Sequence, residues 1–214
     1  MTGFVAIIIG VGIAVAAAIC VYVFVIRPWH LRWGATDAEV QRSLPGDELV
    51  PNPDFEYTQA IAIQASAAEV WPWLVQIGYK RAGWYSHDWI HRILGIAGSV
   101  GDDRRSAKRI IPELQDLEVG DVIEIAPDMG FAVASMEPDR VLVTEAEDAS
   151  WVWFLDPVDE GTTRLIVRFR QDYKPGLANS LMFGIPSELG SLLMQPKTLR
   201  GIRDRAEAAA GQGR

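Results

Sequence analysis

The pattern of apolar and polar positions splits the chain near its start. Gly3 to Ile26 read GFVAIIIGVGIAVAAAICVYVFVI, without one charged, amide or carboxylate side chain. As a helix this run spans roughly 36 Å, enough to cross a ~30 Å hydrocarbon core with some tilt. A secretory signal would carry a basic start, a shorter apolar core and a cleavage site. Here nothing before Gly3 is charged, and Ala16-Ala17-Ala18 is followed by more hydrocarbon. A core helix is seldom apolar all round, and lipoprotein processing at Cys20 is opposed by the apolar run beyond it. The expectation is a single-pass anchor over residues 1–30.

Beyond the anchor the periods change. Thr36-Asp37-Ala38-Glu39 has capping-box spacing and predicts a short helix to about Ser43. LPGDELVPNPDF then reads as an extended connector, so residues 31–53 form a linker with one short helix. Glu56 to Ile63 predict a first strand, and Ser66-Ala67-Ala68-Glu69 opens a helix bent at Pro72 and stopped near Gly78. A second helix is expected from about Ser86 to Leu94, followed by a solvated charged loop, GSVGDDRRSAKR.

From Gly120 onward VIEIA, FAVASM, VLVTEA, WVWFLD and TTRLIVRFRQ alternate with turn clusters, the signature of an antiparallel meander. The last element is a helix from Ser187 to about Ala209, kinked at Pro196. Its apolar stripe is read as Leu189, Leu192, Leu193, Pro196, Leu199, Ile202 and Ala206. The fold class is therefore α+β: a curved antiparallel sheet wrapped around a long C-terminal helix, with two short helices after the first strand. A helix laid across such a sheet rarely fills the space beneath it, and a mostly apolar cavity is the consequence.

Charge and composition narrow the partners. The net charge of −8 argues against nucleic acid. The one cysteine lies in the apolar run, so no disulfide is available to the rest. Arg27 and Arg32 after the span, with Trp29 and Trp33 as interfacial aromatics, place the domain on the cytoplasmic side of a cell membrane.

Several segments carry a family resemblance: RWGAT (Arg32–Thr36), LPGDELVP (Leu44–Pro51), VWPWLVQIGYKRAGWYSHDW (Val70–Trp89), IIPELQDLEVGDVI (Ile110–Ile123) and GTTRLIVRFR (Gly161–Arg170). In this order they resemble the SRPBCC superfamily of helix-grip proteins, which includes START lipid-transfer domains and polyketide cyclases, and more closely its uncharacterised bacterial members. The resemblance spans most of residues 32–207 and implies a helix-grip domain over 54–210. It implies a cavity for a hydrophobic small molecule or lipid, but no shared catalytic set, and no cofactor.

Candidate chemistry is sparse. His87 and His91 stand i, i+4 beside Asp88, a spacing able to hold a metal only with further ligands. His87, Asp88 and Tyr85 are alternatively an acid or base of a cyclase-like pocket. Arg164, Arg168 and Arg170 share one strand face, either facing solvent or, with a shifted register, sending one Arg to a ligand carboxylate or phosphate. The strand 151–155 is apolar on both faces and needs a cover on each, the connector or the membrane surface. Cavity candidates are Trp73, Trp84, Tyr85, Asp88, Trp151, Trp153 and Arg168. The expected function is a membrane-anchored carrier or binding domain with a lid at the kinked helix. A polyketide cyclase-like enzyme and an interaction module with a filled core are the alternatives.

Overall fold

A computed structural model describes residues 2–96, 105–174 and 176–212. The charged loop read at 98–109 lies largely outside these residues. The apolar run forms α1 (Thr2–Val21), which passes through a wider π turn (Tyr22–Ile26) into α2 (Arg27–Leu31). Within it, Ile7–Leu31 is long and apolar enough to cross a membrane; its apolar stretch is not buried against the rest of the protein, while His30 near its end is.

Trp33 ends this helix on the domain: its carbonyl accepts from Ala60 N at 3.1 Å. Gly34, at φ +70, lies so close to β1 (Phe55–Ile63) that a Cβ would sit 2.1 Å from the Ala60 oxygen. Only glycine fits there. The predicted capping box forms at Thr36 and starts α3 (Asp37–Gln41). A second forms at Ser66 and starts α4 (Ala67–Val75), which carries Pro72 inside it. α5 (Asp88–Ile93) follows.

The meander appears as β2 (Val122–Ala126), β3 (Met129–Glu137), β4 (Val141–Ala146), β5 (Ala149–Asp159) and β6 (Thr162–Gln171). All pairings are antiparallel, in the order β1-β6-β5-β4-β3-β2. This α+β architecture, an open six-stranded sheet with a long C-terminal helix, is the one that the strand and helix periods predict.

The sheet is covered on both faces. On one, Trp153, Leu155, Leu165 and Val167 pack with Val70, Leu74, Leu199, Ile202 and Ala206. On the other, Val143, Val152, Phe154 and Ile166 pack under Leu44. The connector is that second cover: a Cβ on Gly46 (φ +91) would come within 2.6 Å of Val143. The solvent-facing alternative for the arginine face is corrected accordingly. Arg164, Arg168 and Arg170 lie beneath α3 and the connector.

Arg168, 2 % exposed, is bonded throughout. It donates to Thr58 Oγ1, Asp47 Oδ2 and the carbonyls of Glu39, Val40 and Arg42 at 2.7–3.0 Å. A rigid fork of donors suits a bundle of carbonyls that a meandering loop leaves without strand partners.

The C-terminal helix begins ten residues before its predicted start. It runs as α6 (Leu177–Asn179), a π turn (Ser180–Gly184), α7 (Ile185–Leu189), a second π turn (Gly190–Met194) and α8 (Gln195–Gln212). Pro28, Pro186 and Pro196 each stand second after a π turn. A proline lacks an N–H and presses on the carbonyl four residues back, and a widened turn relieves both conflicts without ending the helix.

Candidate functional site

A cavity of about 600 Å³ opens between α5, the sheet and the segment from Pro186 to Thr198. Its sheet wall comes from four strands: Ile125 and Ala126 on β2 and three aromatic side chains, Tyr57 on β1, Trp151 on β5 and Phe169 on β6. The three aromatics are adjacent because β6 lies between β1 and β5, pairing Tyr57 with Phe169 and Phe169 with Trp151. Tyr57 and Phe169 stack at 5.6 Å, and Phe169 meets Trp151 edge to face at 6.1 Å. Ile90, His91 and Leu94 form the α5 wall, and Leu189, Gly190, Leu193 and Met194 the helical roof.

The turn before α5 decides which aromatic reaches this space. Gly83 (φ 79) and Tyr85 (φ 52) are both left-handed, so Trp84 and Tyr85 point to different places. Trp84 enters the cavity wall, stacked on Trp151 at 5.7 Å. Tyr85 turns into the core, where Gln76 Nε2 donates to its hydroxyl at 2.8 Å, Trp73 meets its edge at 6.0 Å and Arg205 covers its face at 4.5 Å. Burial pushes its phenol well above the usual range. A non-glycine residue in this backbone region costs of order 1 kcal/mol and persists where surroundings hold it. Ser106 Oγ holds it here by accepting from Tyr85 N at 2.9 Å.

Of the seven candidate residues, the structure thus brings Trp84 and Trp151 together in the cavity wall. The other five lie elsewhere. Trp73 and Trp153 are core residues, 3 % and 2 % exposed. Tyr85 faces α8, as above. Asp88 Oδ1 accepts from Ser106 N and Oγ at 3.1 and 2.6 Å, which ties Ser106 to the start of α5. Arg168 is on the opposite face of the sheet, under the connector. Among the described residues no group of three or more His, Cys, Asp and Glu side chains gathers as a metal site would need.

The polar groups that do reach the cavity are mostly occupied within the protein. Tyr57 donates to Gln195 Oε1 at 3.3 Å, Ser187 Oγ to Gln171 Oε1 at 2.8 Å, Ser191 Oγ to the Glu188 carbonyl at 2.9 Å and Thr198 Oγ1 to the Trp84 carbonyl at 2.9 Å. Burial pushes the Tyr57 phenol far up, although the Trp151 indole nearby opposes this, so Tyr57 stays neutral. Trp151 Nε1 nonetheless completes no hydrogen bond of normal geometry, and Gln195 Nε2 is buried without an acceptor. His91, 5 % exposed, is held below the usual imidazole range by burial, with Asp88 pulling the other way and His87 reinforcing the burial.

Sequence reasoning missed Tyr57, Phe169, Gln195 and the roof residues. Tyr57 and Phe169 looked like ordinary strand positions. Leu189 and Leu193, expected in the apolar stripe, are 50 % and 48 % exposed. The π turn at 190–194 rotates them away from the stripe that Leu199, Ile202 and Ala206 bury.

No family model matches the chain, and no curated protein matches it. Several solved structures do. The chain is similar to a polyketide cyclase-like protein. That protein, Cgl2372 from Corynebacterium glutamicum, is 16 % identical, with 73 % of this chain and 94 % of that chain covered and a TM-score of 0.39. The self-sacrificing resistance protein CalC from Micromonospora echinospora is 11 % identical over 74 % of this chain and 97 % of that one, with a TM-score of 0.44. NE0264 from Nitrosomonas europaea is 11 % identical over 75 % and 99 %, with a TM-score of 0.43.

Proposed function

We propose that this chain is a membrane-anchored domain that binds a hydrophobic small molecule or lipid in the cavity between α5, the sheet and the helical roof. The observation that supports it is the chemistry of the wall. A space of about 600 Å³ is bounded by Trp84, Trp151, Phe169 and aliphatic side chains, while the hydroxyls of Tyr57, Ser187, Ser191 and Thr198 spend their protons inside the protein. Such a wall favours apolar surface at roughly 25 cal/mol per Å² and offers little to a polar solute. The helix Ile7–Leu31 serves as the anchor, and Arg27 and Arg32 at its end put the domain on the cytoplasmic side. Tethering then raises the ligand's local concentration without adding contacts.

Gly190 provides the test. It belongs to the cavity lining, is helical, and a Cβ there meets nothing within 4 Å. Gly190→Phe starts a ring from a Cβ that meets no other atom, at a position of the cavity lining. The full chain in phospholipid nanodiscs is expected to take up a fluorescent fatty acid, and Gly190→Phe to lose that uptake while unfolding at no lower temperature. Equal uptake by both proteins, or none by the wild type, would remove the carrier reading.

A further inference from the structure

The helix over 177–194 is amphipathic in the wrong sense for a protein surface in water. Leu177, Leu181, Ile185, Leu189 and Leu193 recur at every fourth position and are 79 %, 56 %, 49 %, 50 % and 48 % exposed. Met182 beside them is 68 % exposed. In a regular α-helix of 3.6 residues per turn a row at this spacing would wind around the axis. Here α turns alternate with wider π turns, whose drift has the opposite sense, so the row stays a straight stripe.

Ser187, Glu188 and Ser191 point the other way, into the protein, while Ser180 is exposed near the start of the stripe. Ser187 donates to Gln171 on β6. Glu188 receives Tyr22 Oη at 2.9 Å and Arg27 Nε at 2.5 Å, with His30 Nε2 at 3.3 Å. Ser191 Oγ lies 3.3 Å from His30 Nδ1, and Gln59 Nε2 joins the carbonyls of His30 and Ser191 at 2.6 and 2.7 Å. The roof helix is therefore held level with residues 22–30, the end of the apolar helix, through Glu188 and Ser191.

We propose that this stripe lies in the interfacial layer of the phospholipid bilayer that α1 spans, so that the cavity mouth opens onto lipid. The proposal rests on the anchor reading and goes beyond it: a tether alone would leave the mouth facing any direction. Leu189 and Leu193 belong both to the stripe and to the cavity lining, and Leu94, 62 % exposed, lines the cavity opposite them. An apolar ligand moving from bilayer to cavity along these residues meets hydrocarbon throughout and never crosses water. Exposed aliphatic rows of this size mark contact surfaces, and a helix with one apolar face beside a membrane span beds that face at the acyl boundary.

Site-specific bimane labels in full-length protein test this, with Cys20→Ser removing the native thiol. Proteins labelled at Leu181→Cys, Ile185→Cys, Val15→Cys and Arg203→Cys would be reconstituted in phosphatidylcholine vesicles with or without brominated acyl chains. The expected result is quenching at 181 and 185 by at least half the loss seen at 15, with 203 unchanged. Quenching at 15 but not at 181 and 185 keeps the anchor and overturns the proposal. A disulfide formed between copies of unlabelled Leu181→Cys under a mild added oxidant, with no quenching of the labelled protein, would assign the stripe to a second copy of this chain and also overturn it. Absence of quenching at 15 would remove the anchor reading and this proposal together.

Discussion

Arg27 Nε donates to Glu188 Oε1 across 2.5 Å, joining the end of the apolar N-terminal helix to the helix that roofs the cavity, 161 positions later in the chain. Glu188 accepts from two side chains of this segment, Tyr22 and Arg27, and has His30 Nε2 beside it at 3.3 Å. Removing it by Glu188→Ala leaves Tyr22, Arg27 and His30 without their common partner, a loss on the order of 1–3 kcal/mol for a partly buried, charge-assisted cluster. The expected outcome is a lower unfolding temperature of the nanodisc-embedded chain. An unchanged temperature would mean that the cluster is incidental.

Arg168 predicts a larger effect on the opposite face. Replacing it by Met removes five hydrogen bonds, strands the carbonyls of Glu39, Val40 and Arg42, and leaves the Asp47 carboxylate only Leu44 N and Arg170 as partners. Breaking a buried charged cluster in this way costs roughly 3–5 kcal/mol. Arg168→Lys recovers little of it, because one ammonium cannot span the same acceptors. Chemical denaturation of the three proteins would show the order wild type, Lys, Met with the first gap the widest.

Gly201 permits α8 to touch the turn that sorts Trp84 from Tyr85. A Cβ at this position would lie 2.1 Å from the Tyr85 carbonyl oxygen, which belongs to a backbone held by Ser106. Gly201→Ala is helix-favouring in isolation, yet here it forces α8 away from the turn and is expected to cost at least about 1–3 kcal/mol. A rise in stability on that substitution would show that the contact is soft.

His91 sets a pH dependence. Its folded imidazole titrates below the ordinary 6.5 because burial disfavours the cation. Its contribution to stability is thus complete above pH 6.5 and is lost as the pH falls from there through the lower folded value. Stability measured between pH 7 and 5 should decline in the wild type and decline less in His91→Leu. Parallel curves would remove His91 from the account.

The parts of this molecule that obey a local rule were legible from sequence. Both capping boxes, at Thr36 and Ser66, formed as spaced, and each strand of the meander lies where alternation and turn residues put it. What escaped depends on register between distant segments. Nothing local tells that Tyr57, Phe169 and Trp151 meet, since that follows from β6 pairing between β1 and β5. Arg168 reads as a surface arginine until Leu44 to Val50 are laid over it. The roof was misjudged for a sharper reason: Gly184, Pro186, Gly190 and Pro196 resemble helix breakers, and the helix continues through them by widening its turns. That widening moved Leu189 and Leu193 out of the core stripe to the cavity mouth.

The central claim is that the cavity holds an apolar ligand, and native mass spectrometry of the full chain released from nanodiscs, with organic extraction of the same sample, reads it most directly. The account predicts an adduct of lipid or apolar metabolite mass on the wild type that is absent from Gly190→Phe. A wild-type protein that flies empty, with nothing in the extract beyond what Gly190→Phe carries, would contradict it.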